Sequence, residues 1–414
     1  MMSAEGPYIA AIVARMPAAE LNLAAYGVAF ALAWLGESPI MMLLTASNRL
    51  VQHHQSFLAM RRFMYAMTAA LTGLMIVAVL PPVFRLLASG VLHLPAPVAD
   101  LLHSAMVILV PWPAAIGYRR FYQGVLVRHG HPRRVAYGTV IRLTSMSLTA
   151  AILGFGTSLH GATVGACALV AGVVTEAVAA RWMARHVVAS LLAEHDPADA
   201  RVLTQREIVQ FYYPLALTSM ISMSSGPLLT FFMGRGRLPI ESLAVLPVVQ
   251  NVVFLFRSGG VAFQEVGVAL IGHQHEHERA VRRAATILGL ATSSALALLV
   301  FTPLVRVWFG SAAGLTPALT LIAILPARIL VIHPALEYTL GYQRARVILA
   351  GATRVVTAAM VIEVGGIAAA LWFCIGRLDI VGVVAASIAL MGGRLAANAF
   401  LFTAARLERP PTPA

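Results

Sequence analysis

The sequence predicts an all-α protein that crosses a membrane twelve times, in two similar halves of six helices each. Three observations predict this fold class: an apolar composition, a series of long uncharged segments and an internal repeat. Of the 414 residues, 59% are hydrophobic and only 11% are charged. Because soluble domains contain about 25% charged residues, this chain cannot cover a water-facing surface, and we expect lipid to surround it.

The formal net charge of +13 indicates orientation in a membrane rather than nucleic-acid binding. The basic residues are divided among many short connections, and no basic platform with interleaved aromatic residues is visible. Cys167 and Cys374 both lie in apolar segments. They are expected to be buried thiols rather than a disulfide or a pair of metal ligands.

Twelve apolar segments are candidates for transmembrane helices, which need about 20 mainly apolar residues, although the first is short. A polar stretch follows the sixth segment. We therefore predict an N-terminal bundle over 1–186, a cytoplasmic linker over 187–206 and a C-terminal bundle over 207–414. The predicted spans are 1–16, 22–48, 64–90, 100–127, 135–157, 160–186, 207–233, 241–271, 283–308, 314–340, 346–372 and 377–404.

The distribution of arginine predicts the orientation of these spans. Arginines are concentrated in the connections after the second, fourth, sixth, eighth and tenth spans, and most other connections contain almost none. The connection after the seventh span, with Arg235 and Arg237, is an exception. Because cytoplasmic loops are enriched in basic residues, both termini are predicted to be cytoplasmic. The abundance of Ala, Gly, Pro and Arg favours a bacterial inner membrane.

The second half of the chain repeats the first. A shift of 220 positions places Glu37 over Arg257 in the second and eighth spans, and a shift of 212 places Arg142 over Arg354 in the fifth and eleventh spans. The beginning of the seventh span has no counterpart, so the first helix is expected to be truncated. Each half has an even number of spans, which predicts a pseudo-two-fold axis along the membrane normal.

Two six-helix halves joined by a cytoplasmic linker resemble the multidrug/oligosaccharidyl-lipid/polysaccharide (MOP) flippase superfamily, which includes the multidrug and toxic compound extrusion (MATE) transporters. The chain looks most similar to the progressive ankylosis protein family. The resemblance implies a V-shaped, MATE-like exporter with alternating access, in which helices 1, 2, 7 and 8 line a central cleft. It also implies export of anions such as ATP, pyrophosphate or citrate. The segments that carry it are YGVAFALAWLGESP (26–39), GVLVRHGHPRRVAYG (124–138), LHGATVGACALVAG (159–172), YPLAL (213–217) and LPARILVIHP (325–334).

Charged residues inside the predicted spans are the candidates for function. An ionisable side chain at membrane depth costs at least about 2.5 kcal/mol, so it needs a partner, a wet cavity or a role. Arg120, for example, lies roughly 12 Å along the helix from Arg128, which is too deep for comfortable snorkelling. The alternative is that these arginines anchor neighbouring helices through backbone carbonyls. The candidate substrate-binding residues are Arg257, Arg120, Arg328, Arg119, Ser222 and Gln123.

Four residues are candidates for ion coupling: Glu37, Glu265, His333 and Glu337. Glu37 and Arg257 occupy equivalent midspan positions, so they are expected either to form a salt bridge between the halves or to act as coupling carboxylate and substrate cation. His333 and Glu337 are four residues apart on one helical face, a spacing that permits a hydrogen-bonded pair. A histidine beside a carboxylate suits a proton relay, and a satisfied core network is the alternative.

The excess of arginine over carboxylate at membrane depth favours an anionic substrate. We therefore expect a monomeric secondary transporter that exports a small organic or phosphorylated anion, coupled to protons or sodium, with no cofactor, metal or enzymatic activity. A proton- or sodium-coupled antiporter of organic cations and a lipid-linked saccharide flippase are the alternatives, and a scaffold or receptor without transport is a further one. The HQHEHE stretch (273–278) is disfavoured as a zinc site because contiguous residues are poor tetrahedral ligands.

Overall fold

The structure is a computed structural model that describes residues 5–193, 203–271, 277–350 and 352–407. Within these ranges the regular secondary structure is helical, apart from one isolated bridge between Arg237 and Val381. The predicted all-α fold class is therefore confirmed. The α-helices are α1 Glu5–Val13, α2 Ala19–Glu37, α3 Leu43–Leu50, α4 His54–Val79, α5 Pro81–Arg85, α6 Ala96–Ile108, α7 Trp112–Arg128, α8 Pro132–Gly156, α9 Gly161–Met183, α10 Arg185–Ala193, α11 Gln205–Met223, α12 Ser225–Met233, α13 Pro239–Ile271, α14 Glu278–Phe301, α15 Leu304–Arg306, α16 Pro317–Ile329, α17 His333–Leu349, α18 Thr353–Gly376 and α19 Gly382–Leu407.

In the described part of the chain, ten helical stretches are long and apolar enough to cross a membrane, and α6 with α7 makes an eleventh, bent by 42°. The stretch that corresponds to the first predicted span is α1, which has 9 residues. At 1.5 Å per residue such a helix is about 14 Å long, roughly half the thickness of a hydrocarbon core. The prediction of one short helix and eleven full spans agrees with this arrangement.

Contacts divide the chain into two compact units. The first unit contains α2 to α11, and its boundary falls within α12 after Pro227; the second contains α1 and α13 to α19. In the second unit, α1 packs against α13 with Ile9 and Val13 buried. Arg15 fixes the end of this segment by donating to the carbonyl oxygens of Ser311 (2.5 Å) and Ala312 (2.9 Å). The bundle boundaries at 186 and 206, which the polar stretch after the sixth span predicts, stay a prediction.

The helix bounds give the repeat a single register in the last three spans of each half. Helices α17, α18 and α19 each begin 221 residues after α7, α8 and α9 (333 − 112, 353 − 132 and 382 − 161). The shift of 212 predicted for the fifth and eleventh spans is therefore wrong. Arg142 corresponds to Glu363, and Arg354, in the first turn of α18, corresponds to Arg133 in the first turn of α8.

The second predicted span is interrupted in the structure. Helix α2 ends at Glu37 and α3 begins at Leu43, with a turn over residues 38–42. Pro39 cannot donate a backbone hydrogen bond, so the helix cannot continue regularly through it. The Tyr212 hydroxyl of α11 donates to the Pro39 carbonyl, and the Ser38 hydroxyl donates to the Leu35 carbonyl (2.6 Å). These bonds satisfy backbone groups that lipid cannot satisfy.

The corresponding helix of the second half is unbroken. Helix α13 runs continuously from Pro239 to Ile271, so the interruption is a property of the first unit only. Discontinuous transmembrane helices are typical of the binding sites of secondary transporters, because their free ends and exposed carbonyls can face a solute. A binding site of the first unit is therefore expected near the turn over residues 38–42.

Candidate functional site

The first unit contains a group of buried polar side chains around Glu176, which we call the Glu176 cluster: Arg119 and Gln123 of α7, Arg142 of α8 and Glu176 of α9. Glu176 forms an ion pair with Arg119 and accepts from the Gln123 amide (3.0 Å). The Arg142 guanidinium lies 3.7 Å from the same carboxylate. The Glu176 side chain is 1% exposed, so these contacts compensate a charge that water does not reach.

Glu37 is a second buried carboxylate of this unit, at the end of α2. It is 4% exposed and accepts a hydrogen bond of 2.6 Å from the indole nitrogen of Trp112. In the described part of the chain, no basic side chain forms an ion pair with Glu37 within 4.0 Å, although Arg119, Arg120 and Arg142 are near enough for their charges to act on it. Its direct partner is therefore a neutral donor.

Trp112→Phe is expected to lower the free energy of unfolding by about 1–3 kcal/mol, because the buried Glu37 carboxylate then loses the one side-chain donor that the described residues provide. The measurement is the unfolding of the purified full-length protein by heat or denaturant. The control is the same substitution in a Glu37→Leu background, where no carboxylate remains to be satisfied. An equal loss of stability in both backgrounds would show that the indole contributes packing alone.

Arg120 differs from its neighbour Arg119 in having no acidic partner. Its Nη2 lies 3.3 Å from the thioether sulfur of Met41, in the turn between α2 and α3. Thioether sulfur is a weak acceptor, and the buried Nε of Arg120 has no partner at all among the described residues. The side chain is partly exposed. The buried Nε of Arg119 also has no partner among the described residues, so Arg120 is set apart by the lack of a carboxylate partner in that part of the chain.

The second unit contains a more extended ionic chain, the Glu337 cluster. Glu337 accepts from Arg257 (2.8 Å) and from Arg394 (3.0 Å), one guanidinium on each carboxylate oxygen. Arg394 also pairs with Glu363 (2.9 Å), and Glu363 lies 3.9 Å from Arg344. Basic and acidic side chains therefore alternate along one continuous series of ion pairs.

The two clusters have opposite polarity at matched helices. In the first unit, arginines on α7 and α8 surround a glutamate of α9; in the second, glutamates on α17 and α18 surround an arginine of α19. The exchange of Arg142 for Glu363 under the 221-residue shift is one part of this inversion. Each bundle thus contains its own ionic network, in which the arginines bind carboxylates rather than the backbone carbonyls of the anchoring alternative.

Glu37 and Arg257, which the repeat places in equivalent positions, each have a direct partner within their own unit. His333 is 5% exposed at the start of α17, and its Nδ1 has no partner in the described chain. Both carboxylate oxygens of Glu337 accept from arginine. The hydrogen-bonded pair that the spacing of His333 and Glu337 permits is therefore not formed.

The other predicted site residues lie apart from these clusters. Arg328 is exposed, donates to the Val300 carbonyl (3.2 Å) and lies over the Phe301 ring at 5.2 Å, so it joins α16 to α14. Ser222 and Glu265 are exposed. Their assigned roles in substrate binding and coupling stay predictions.

The HQHEHE stretch falls largely outside the described residues, which resume at His277. Its last residue, Glu278, is described and lies at the start of α14. The Glu278 carboxylate pairs with Arg346 (2.8 Å) and accepts from the Tyr342 hydroxyl (2.8 Å). This glutamate thus joins α14 to α17, and its oxygens have partners within the second unit.

Two features of the site were missed from the sequence. No local sequence pattern indicates that Trp112 is the hydrogen-bond donor to Glu37, because the two residues lie 75 positions apart in the chain. The break after Glu37 did have a signal, since Pro39 follows two residues later within an apolar run. A proline inside a predicted span points to a kink or an interruption.

Comparison with known proteins identifies the fold. No protein-family model and no curated protein matches this sequence. A solved inward-facing MATE family transporter of the MOP superfamily matches 97% of this chain and 93% of its own, with 13% identity and a TM-score of 0.76. The lipid II flippase MurJ, in an inward closed conformation, matches 98% of this chain and 85% of its own, with 13% identity and a TM-score of 0.74.

A third solved structure is a MOP superfamily transporter from Pyrococcus furiosus Vc1, described as having a binding pocket of reversed polarity. It matches 98% of this chain and 92% of its own, with 14% identity and a TM-score of 0.63. Together with the apolar spans, these matches show a multi-pass membrane protein with the fold of the MATE and MOP transporters. The predicted MATE-like fold is confirmed, and the resemblance to the ankylosis family stays a prediction.

Proposed function

We propose that this protein is a secondary active transporter of the MOP type that exports a small organic or phosphorylated anion by alternating access, and that it is not an enzyme. The observation that carries the proposal is the state of Arg120. It is the arginine beside the interrupted helix, and its guanidinium has a thioether as its direct partner. A cation at membrane depth without a carboxylate needs water or a bound anion to offset its desolvation.

The charges around the interrupted helix support an anion over a cation. Arg119 and Arg142 lie against the Glu176 carboxylate, and Glu37 accepts from an indole. Arg120 is thus the arginine of this group that has no carboxylate partner among the described residues. A guanidinium presents a planar fork of donors that matches carboxylate and phosphate oxygens in pairs. A carboxylate or phosphoryl group therefore fits this position better than an ammonium group does.

Glu37 is the residue we propose for ion coupling. Its direct partner is the neutral indole of Trp112, so it can gain or lose a proton without breaking an ion pair. Glu337 is held by two arginines, and its protonation would leave both of them uncompensated. Glu37 also ends α2 at the turn that Arg120 contacts, so the carboxylate and the cation both lie at the same break.

The test is solute uptake into proteoliposomes that contain the purified full-length protein. Citrate, pyrophosphate and ATP are compared with a cationic dye, with an imposed proton or sodium gradient in each case. We expect at least one of the three anions to be accumulated above the level of protein-free vesicles, and the dye to remain at that level.

Two other results would replace the proposal. Gradient-driven movement of the dye without movement of any of the three anions would indicate the organic cation antiporter. If neither class moved, translocation of a fluorescent lipid-linked saccharide would be measured in the same vesicles. Translocation of the lipid-linked saccharide would indicate the flippase alternative, since the solved structure of MurJ shows that this fold occurs in a flippase.

A further inference from the structure

The second unit has an apolar groove on its surface that none of the site residues above lines. The groove lies between α18 and α19 and has a volume of about 520 Å³. Its α18 side chains form two adjacent rows, 354/357/361 and 354/358/362, with spacings of three or four residues, so together they form one stripe along the helix. The groove is lined by Arg354, Thr357, Ala358, Val361, Ile362 and Phe400.

One end of this groove is charged and the rest is apolar. Arg354 lies in the first turn of α18, is exposed and has no hydrogen-bond or ion-pair partner among the described residues. The stripe continues from Arg354 to Ile362, a distance of about 12 Å along the helix axis. Val361 is 51% exposed, so part of this apolar stripe is open to the surroundings of the bundle.

Arg354 contrasts with the arginines that precede it on α17. Arg344 lies near Glu363, and Arg346 pairs with Glu278, so their charges are compensated within the unit. The helix start places Arg354 at the end of its span, on the side predicted to face the cytoplasm. The groove thus combines a free cation at headgroup depth with an apolar surface that extends toward the hydrocarbon core.

We propose that this groove is a binding site for an anionic phospholipid of the surrounding bilayer, with the phosphate on Arg354 and one acyl chain along the stripe to Ile362. The complementarity is twofold. A guanidinium at a membrane surface favours an anionic headgroup, and the apolar lining favours a hydrocarbon chain. A soluble phosphate would gain only the arginine contact, and a lipid without net charge would gain mainly the apolar one. The site does not depend on the proposed transport function.

Native mass spectrometry of the full-length protein tests this site. The protein is equilibrated with equal amounts of phosphatidylglycerol and phosphatidylcholine that carry the same acyl chains, and the ratio of the two retained lipids is measured. Arg354→Gln is expected to lower the preference for phosphatidylglycerol roughly fivefold, the ratio that corresponds to about 1 kcal/mol per arginine at an anionic surface.

Two further variants separate the parts of the site. Arg377→Gln removes an exposed arginine from the opposite end of the same helix, where it lies over Trp372, and it is expected to keep the wild-type preference. Ala358→Trp fills the groove and leaves Arg354 in place; it is expected to reduce retention of phosphatidylglycerol. Soluble glycerol 1-phosphate at the same concentration is expected to displace none of the bound lipid.

Three results would overturn the proposal. An unchanged lipid preference in Arg354→Gln would mean that the arginine does not bind the headgroup. An equal loss in Arg354→Gln and Arg377→Gln would show general attraction of anionic lipid to surface charge. Displacement by glycerol 1-phosphate, with no effect of Ala358→Trp, would show that a phosphate binds without use of the groove.

Discussion

Replacing Arg120 by glutamine is expected to lower anion transport about ten- to hundredfold at low substrate concentration. A charge-assisted hydrogen bond contributes about 1.5–3 kcal/mol, and each 1.4 kcal/mol corresponds to a factor of ten. The variant removes the charge and keeps a polar, although shorter, side chain. The measurement is the initial rate of uptake into proteoliposomes, with whichever of citrate, pyrophosphate and ATP the wild-type protein moves fastest.

The same variant is expected to leave the stability of the protein nearly unchanged. In the part of the chain that the structure describes, the direct partner of Arg120 is the Met41 sulfur, so removal of the guanidinium breaks no ion pair there. Met41→Leu is the matched control, because it removes the sulfur, preserves the volume and keeps Arg120. Unchanged uptake in Arg120→Gln would reject the substrate role. A large fall in both stability and uptake would assign Arg120 to the structure of the helix break instead.

Glu337→Gln is expected to cause the largest loss of stability among single changes of charge in the second unit. Glu337 compensates Arg257 and Arg394 at the same time, and its side chain is 7% exposed. Removal of one partner from a buried ionic network costs about 3–5 kcal/mol, because the remaining charges stay buried without compensation. The free energy of unfolding, or the apparent melting temperature of the purified protein, measures this loss.

Glu278→Gln is the matched control for this prediction. Glu278 also has direct partners, among them Arg346 and Tyr342, but its side chain is 27% exposed. Water can replace part of the hydrogen bonding that the substitution removes, so the free energy of unfolding is expected to fall by about 0–1 kcal/mol. Similar losses in Glu337→Gln and Glu278→Gln would show that the Glu337 cluster is well hydrated. The interpretation of this cluster as a dry ionic connection between α13, α17 and α19 would then be wrong.

Much of the fold could be predicted from the sequence because hydropathy acts locally. An apolar run of about 20 residues in lipid forms a helix, because its backbone N–H and C=O groups must hydrogen-bond to each other within the segment. The spans, the short first helix and the polar stretch between the halves follow from this constraint. The repeat was also visible, but its register in α8 and α18 was not. The sequence alignment placed Arg142 over Arg354 because both are arginine, whereas the helix bounds make Arg142 and Glu363 the equivalent positions of the two halves.

The sequence determined which charges are buried in the membrane, and only the tertiary structure decided what each of them faces. Arg119 and Arg120 show why. Successive residues of an α-helix point about 100° apart, so two adjacent arginines on α7 meet different neighbours. Arg119 forms an ion pair with Glu176 of α9. Arg120 contacts Met41 in the turn after α2 and has no carboxylate partner among the described residues. Which neighbour lies at each angle depends on how helices distant in sequence pack together, and local patterns do not contain that information.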